Sequence, residues 1–401
     1  MLNSLGDRQI MSVLFIGAQA LPDQTANATR IINLAKLFQN CGENPILIGT
    51  RYDKGTILSG EIDGLKYANV DASAYLSVPK VKRKKYLEQL VLKAITESWE
   101  KYHFDKIVAS NFAFQSISFL MDFAKEKHVA IIYNSVEWYQ KNNNSFRGLG
   151  GKINFLYNRY GLIIQHVKTR NIIGISSLLT EYYKARNCNV VRIPTIIDKK
   201  HYSFVEYNHN EKVIVAYAGS PARKDYIANA IRALLLLTIK ERNQIELHLY
   251  GANKNQLLKL GISEEMMTEL TGNIFVHGRI PYVDVQEKIA SADFTVLLRP
   301  NLRYANAGFP TKVGESMMCG TPVIANHTSD LNLYIRDGET GIVVSDETAE
   351  ACAEGFRKAL RMHAEDKFIM RTAARKEAET AFNYMSYREE MKRFIRELKK
   401  Q

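Results

Sequence analysis

Two doubly wound α/β domains built on parallel sheets are what this chain's pattern predicts, on three observations. Short β-rich apolar runs alternate with amphipathic helical patterns along the whole length. At 401 residues the chain exceeds a single core, since about 150 residues per domain is usual. The alternation breaks once, at 194–211 (beginning PTIIDKKHYSF), where a proline opens a polar and aromatic stretch with no period.

In chain order, the first half offers strands at 13–16 (VLFI), 45–49 (PILIG), 106–109 (KIVA), 129–133 (VAIIY), 171–175 (NIIGI) and 189–193 (NVVRI). The second offers 213–218 (VIVAYA), 245–250 (IELHLY), 273–276 (NIFV), 294–298 (FTVLL) and 322–325 (PVIA). Helical patterns lie between them, as at 27–39, where Ile31, Leu34, Leu37 and Phe38 fall on one face. Charged helical patterns at 347–361 and 384–399 close the chain. The expected division is a domain over 1–200, a second over 201–383, and a C-terminal helix over 384–401. Ligands of such sheets sit beyond the carboxyl ends of the strands, so the loops there are where chemistry is sought.

Hydrophobic residues make up 46% and charged residues 24% of the chain, ordinary for a globular protein. No apolar run approaches the ~20 residues of a spanning helix, and nothing resembles a secretion signal. Cys41, Cys188, Cys319 and Cys352 are widely spaced without a CxxC pair. They read as reduced thiols of a cytoplasmic protein with no zinc site.

Three loops carry cations or glycines beside strand ends. In GFPTKVGESMMCG (308–320), Pro310 suits a first helical turn and Gly320 its end. The N–H groups of Gly308, Phe309, Thr311 and their neighbours then form an anion site. Lys312 adds charge, and Glu315 stands one turn further in, where a carboxylate can accept hydrogen bonds from vicinal hydroxyls. Phosphate plus diol describes a nucleotide; a surface helix with an i,i+3 Lys–Glu pair is the plainer alternative. After VIVAYA, Gly219-Ser220-Pro221-Ala222-Arg223-Lys224-Asp225 puts two adjacent cations on a glycine-containing loop, which suits a diphosphate or is simply a solvated turn. After NIFV, the backbone of Val276-His277-Gly278-Arg279-Ile280 can meet a base edge while Arg279 or Ile280 packs on its face.

The order YAGSPARKD, HLYG, VHGRIPYVDVQEKIASADFTVLLRP, GFPTKVGESMMCGTPVIAN resembles the group 1 glycosyltransferases, retaining sugar-nucleotide enzymes of the GT-B fold. The motifs cover roughly 213–345, and the two-domain pattern extends the likeness over the chain. The resemblance implies two Rossmann-like domains facing a central cleft, with a nucleotide diphosphate sugar as donor substrate on the second. Arg223 and Lys224 would hold the diphosphate together with the backbone at Phe309, Pro310 and Thr311. Glu315 would hold the ribose, and the loop at Arg279 and Ile280 the base. The acceptor would bind the first domain. The departing phosphate would deprotonate the acceptor hydroxyl, so no protein nucleophile, cofactor or metal is expected, and no Asp-x-Asp is present.

The chain departs from the family at Ala307, where a second glutamate usually touches the sugar. The N-terminal loop lacks the usual glycine pair, leaving Gly17, Ala18 and Gln19 as acceptor-side backbone. In place of a cleft histidine, Asn134-Ser135-Val136-Glu137 follows the fourth strand, with Glu137 as a candidate acceptor-side carboxylate or a structural one.

Charge is uneven. Residues 1–200 hold 27 Lys+Arg against 16 Asp+Glu, and residues 201–401 hold 27 against 26, so nearly all of the +12 lies in the first half. No acidic residue occurs from Trp138 to Thr180, a stretch with Lys141, Arg147, Lys152, Arg159, Lys168 and Arg170. Within it Ile153, Leu156, Tyr157, Tyr160, Ile163, Ile164 and Val167 keep helical spacing. A second cluster, Lys80 to Lys85 with Lys82, Arg83 and Lys84, precedes Leu87, Leu90 and Leu92. The apolar faces are expected to cover the sheet, while the excess charge points to an anionic membrane surface, peripheral and cytoplasmic. Nucleic acid is the other polyanion, but no recognition module appears. The readings left open beside a transferase of glycan or lipid-linked acceptors are a degenerate sugar-nucleotide binder, a two-domain epimerase and a basic nucleic-acid-binding protein.

Overall fold

The structure, a computed structural model, describes residues 12–18, 21–22, 25–52, 59–79, 82–110, 114–138, 148–202, 204, 211–221 and 224–400. Fourteen strands form two sheets among these residues. The chain divides into two compact units: one of Met1–Ile175, Leu179–Ile193 and Tyr384–Gln401, the other of Ser176–Leu178 and Pro194–Asn383.

The first unit contains strands β1 (Ser12–Ala18), β2 (Asn44–Arg51), β3 (Ser59–Ile62), β4 (Leu65–Asp71), β5 (Lys106–Ser110), β6 (Ala130–Ser135), β7 (Asn171–Gly174) and β8 (Asn189–Arg192). Their order is β3-β4-β2-β1-β5-β6-β7-β8, parallel throughout except the antiparallel β3–β4 pair. β1, β5 and β6 are buried along nearly all their length, with apolar centres, because helices leave no solvent face to a parallel sheet. Helix α1 (Ala26–Asn40) begins where the Thr25 hydroxyl accepts the N–H of Ala28, at 3.2 Å. It buries Ile31, Leu34, Leu37 and Phe38, and Phe38 meets Phe15 of β1 edge to face. Further helices are α2 (Arg83–Tyr102), α3 (Phe114–Lys127) and α4 (Gly148–Tyr160).

The β3–β4 hairpin is absent from the sequence reading. β4 (LKYANVD) alternates buried and exposed residues instead of forming an apolar run, and Asp63-Gly64 turns it back on β3. The expected C-terminal helix over 384–401 is shorter than its charge pattern: a 3₁₀ turn (Tyr384–Tyr387) leads into helix Arg388–Arg396. Asn189 donates to the carbonyls of Phe394 and Glu397, and Asn171 bonds the backbone of Lys399, which ties this end to the first sheet.

The second unit contains β9 (Val213–Ala218), β10 (Ile245–Tyr250), β11 (Ile274–Gly278), β12 (Phe294–Leu297), β13 (Val323–Asn326) and β14 (Gly341–Val344), ordered β11-β10-β9-β12-β13-β14 and all parallel. β14 (GIVV) is too short to stand out in the sequence. Val215, Leu247, Leu249 and Phe294 meet Ala230, Ile231 and Leu234 of helix Ile227–Leu235 in the main core. The strand order runs outward from β9 in both directions, so the switch point lies between β9 and β12, and a ligand crevice is expected beyond their carboxyl ends.

Helix Ala364–Ala381 turns two arginines, the buried Arg371 and the half-buried Arg375, onto the ends of other helices. Arg371 donates to the carbonyls of Ala290 and Ala292, at the end of helix Tyr282–Ser291. Arg375 donates to the carbonyl of Met318, at the end of helix Thr311–Met318. Each guanidinium meets the negative end of a helix and satisfies carbonyls that have no intrahelical partner. Among the described residues no helix is long and apolar enough to cross a membrane. The four cysteines are free, and burial pushes the Cys319 thiol up to about 12, which keeps it unreactive.

Candidate functional site at the β9–β12 switch point

Three chain segments converge at the switch point. β9 ends at Ala218-Gly219, β12 runs out through Leu298 to Arg299, and the 311–318 helix starts beside them. Pro310 is the residue before the first helical turn instead of the first within it, and no side chain caps this end. Either position suits a residue with no N–H.

Lys312 folds back over Gly219, and its ammonium lies 2.5 Å from Asp225 Oδ2. Arg299 Nε donates to the other oxygen at 2.8 Å, and the Tyr217 hydroxyl donates to Oδ2 at 3.2 Å. Asn326, closing β13, exchanges two hydrogen bonds with the backbone of Arg299 and fixes where that residue leaves the sheet. Asp225 is only 4% exposed. Burial pushes its carboxyl up, but Lys312 and Arg299 outweigh this and hold it at about 2. The site therefore sets two cations against one buried carboxylate, leaving a net positive charge at the positive end of a helix dipole. An anion is the ligand that this arrangement favours.

One turn inward, Glu315 accepts a hydrogen bond from the Tyr282 hydroxyl at 3.3 Å, and Tyr282 is 2.7 Å from the hydroxyl of Tyr202. Burial pushes the Glu315 carboxyl up, opposed by Lys312 and Tyr282. Burial also raises both tyrosines, so they remain neutral hydrogen-bonding groups. The Glu315 carboxylate keeps further lone pairs for hydroxyl donors.

The structure thus brings Lys312 against Gly219 and near Glu315, with Phe309 and Pro310 buried at the helix entrance. Lys224 precedes Asp225 on the same loop and is partly exposed; Arg223 lies outside the described residues. Gly308 is extended. Ala307, in the place of the family's second glutamate, is fully buried, and its carbonyl accepts from Ser176 at 2.6 Å. Past β11, Arg279 is exposed, while Ile280 packs against Ala216, Tyr250 and Ala292. In the first unit Gly17 has φ +90° at the end of β1; the side chain of Ala18 and the whole of Gln19 are outside the described residues. Glu137 is exposed two residues beyond β6. Just inside that strand end, Arg30 donates to Asn134 at 3.0 Å, and Asn134 to Ser110 at 3.0 Å.

Sequence reading missed Asp225, Arg299, Tyr282 and Tyr202. Arg299 had a signal, since a cation immediately after an apolar strand stands at its carboxyl end. The tyrosines had none, because only folding brings them to Glu315.

Gly219 has φ +142°, and a Cβ there would land on the end of the Lys312 side chain. Gly219→Ala is expected to displace Lys312 from Asp225 and to weaken pyrophosphate binding about tenfold or more, the scale of one charge-assisted hydrogen bond. Calorimetric titration of both proteins checks this, and equal affinities would detach Lys312 from the anion site.

Residues 198–379 match the family model described as glycosyl transferases, group 1. No curated protein matches the chain. Among solved structures, the chain is similar to a sucrose-phosphate synthase from Thermosynechococcus elongatus, with TM-score 0.73 and 16% identity over 96% of this chain and 98% of that one. It is similar to HepE of Anabaena, solved in complex with UDP-glucose, with TM-score 0.67 and 14% identity over 97% and 100%. WaaG, a glycosyltransferase involved in lipopolysaccharide biosynthesis, gives TM-score 0.65 and 14% identity over 96% and 99%. These identities carry the fold alone, the GT-B plan of two Rossmann-like domains with a helical C-terminal segment.

Proposed function

From the match of residues 198–379 to the group 1 glycosyl transferase model, we propose that the chain moves a sugar, with retention, from a nucleotide diphosphate sugar to a glycan or lipid-linked acceptor. One observation carries this reading: a helix N-terminus with Lys312 over Gly219 and Glu315 one turn inward, at the switch point of a parallel sheet. The helix end and Lys312, with Lys224 and Arg223 on the neighbouring loop, match the charge of a diphosphate. Glu315 accepts from the ribose hydroxyls, and the backbone around Arg279 meets the base. HepE, of the same fold, is solved with UDP-glucose.

The chemistry asked of the protein is positioning and electrostatics. Lys224 and Lys312 stabilise the leaving diphosphate as the glycosidic bond breaks, in the place of a divalent metal. The departing phosphate takes the proton of the acceptor hydroxyl. The acceptor lies toward the first domain, where Gly17, Ala18, Gln19 and Glu137 are the candidate contacts. The surplus of basic residues in that half favours work at an anionic membrane surface, in the synthesis of a cell-envelope polysaccharide.

Titration against a panel of nucleotide sugars, followed by transfer assays, tests the reading; no binding to any donor would overturn it. Glu315→Gln is expected to keep the fold and lower donor affinity about tenfold or more, because an amide accepts from hydroxyls less well than a carboxylate. The sign with pH follows from the raised carboxyl. The ionised form binds, so affinity is lost as pH falls through a value above the ordinary glutamate range. Unchanged affinity in the variant would remove Glu315 from the ribose.

A further inference from the structure

We infer that α4 is the element that seats this protein on a membrane, lying in the headgroup region of anionic lipid. The inference deepens the membrane part of the proposed function and is independent of sugar transfer. The apolar positions of this segment are expected to cover the sheet. The structure instead leaves Ile153 56%, Leu156 64% and Tyr160 40% exposed, with Ile164 38% exposed in the following turn.

The spacing of Ile153, Leu156 and Tyr160 is that of one helix face. Gly161–Gln165 is a π-helical turn, and its wider winding keeps Ile164 on the side of Tyr160. Lys152 and Arg159 fall at one margin of the stripe by helical phase, and Lys168 and Arg170 are exposed just beyond it. Large apolar side chains at such exposures, in a continuous row, are unusual on a surface that meets only water.

Charge decides the occupant. No Asp or Glu occurs from 138 to 180, so the segment that carries the stripe contributes cations alone, with Asp122 and Glu126 on the neighbouring α3. A second copy seated face to face would set these cations against their own duplicates. An anionic lipid surface accepts both features: the stripe enters the acyl boundary while the Lys and Arg heads stay with the phosphates. The other basic cluster is less suited, because Arg83 donates to the carbonyls of Leu76 and Val78 and holds the start of α2.

The test uses the full chain with phosphatidylglycerol and phosphatidylcholine vesicles, by co-sedimentation at 0.1 M and 1 M salt. The native chain is expected to bind the anionic vesicles at low salt, to release at high salt, and to ignore the neutral ones. The double variant Ile153→Ser/Leu156→Ser is expected to bind at least tenfold more weakly, with unchanged circular dichroism and unchanged transfer to a soluble acceptor. In Leu156→Trp, emission should shift to the blue when anionic vesicles are added. Absence of native binding would overturn the membrane reading as a whole. Undiminished binding by the double variant, without a spectral shift in Leu156→Trp, would overturn the role of α4 while leaving that reading standing. Self-association of the native chain that the double variant loses, or retention of polyglutamate in place of vesicles, would assign the stripe to a protein partner and overturn the inference.

Discussion

Asp225→Ala is expected to destabilise the second domain by about 3–5 kcal/mol, the cost of removing one partner from a buried ion pair. The carboxylate is 4% exposed and Arg299 only 11%, so the variant would leave that guanidinium, with Lys312 beside it, uncompensated. Asp225→Asn should cost less, since the amide oxygen still accepts from one of them. Acid should produce part of the same effect in the native chain. The folded carboxyl is held at about 2, below the 3.8 of an unperturbed aspartate. Its stabilisation is therefore complete above the unfolded value and is lost as pH falls from the unfolded toward the folded value. That difference corresponds to about 2 kcal/mol. Urea titrations across that window, native against Asp225→Asn, measure it. A stability difference that does not shrink toward low pH would mean that Asp225 is not the ionised centre of the cluster.

Lys224→Ala should lower kcat about 10²–10³-fold with a smaller change in donor KM, the range seen when one preorganised donor to developing charge is removed. Charge on the diphosphate grows as the bond to the sugar breaks, so a cation placed there acts mainly on the transition state. Lys312 is held by Asp225 in the folded chain. Lys224 stands beside Asp225 on the loop and is partly exposed. Transfer rates with saturating donor, with and without EDTA, check both parts. Activity should survive the chelator. A fall in affinity without a fall in kcat would move Lys224 from transition-state stabilisation to ground-state binding.

Strands buried on both faces were legible, because a parallel sheet demands unbroken apolar runs such as VIVAYA and AIIY. β4 was not, because its alternating LKYANVD belongs to a half-covered edge, and GIVV is too brief to separate from a loop. At the site, loop composition marked the anion end: Gly219, Lys312 and the turn before the helix. What composition could not mark is who restrains whom. Asp225 reads as an incidental neighbour of Lys224, yet it ties together cations 74 and 87 residues further along the chain. The same holds for the stripe on α4, whose spacing fits a core-facing helix as well as an exposed one.

The attachment of residues 384–400 to the first sheet has a consequence for how the protein is made. Asn171 and Asn189 are translated long before Phe394, Glu397 and Lys399, whose backbones they bond. Arg388 likewise reaches back to the carbonyl of Asn40. The second unit, by contrast, is nearly all one continuous segment, and its ends meet where the N–H of Ile197 donates to the carbonyl of Phe382 at 2.7 Å. On the ribosome, the first of these two units is thus completed after the second. Its sheet meets residues 384–400 only after the second unit, which closes on its own local contacts, has been made.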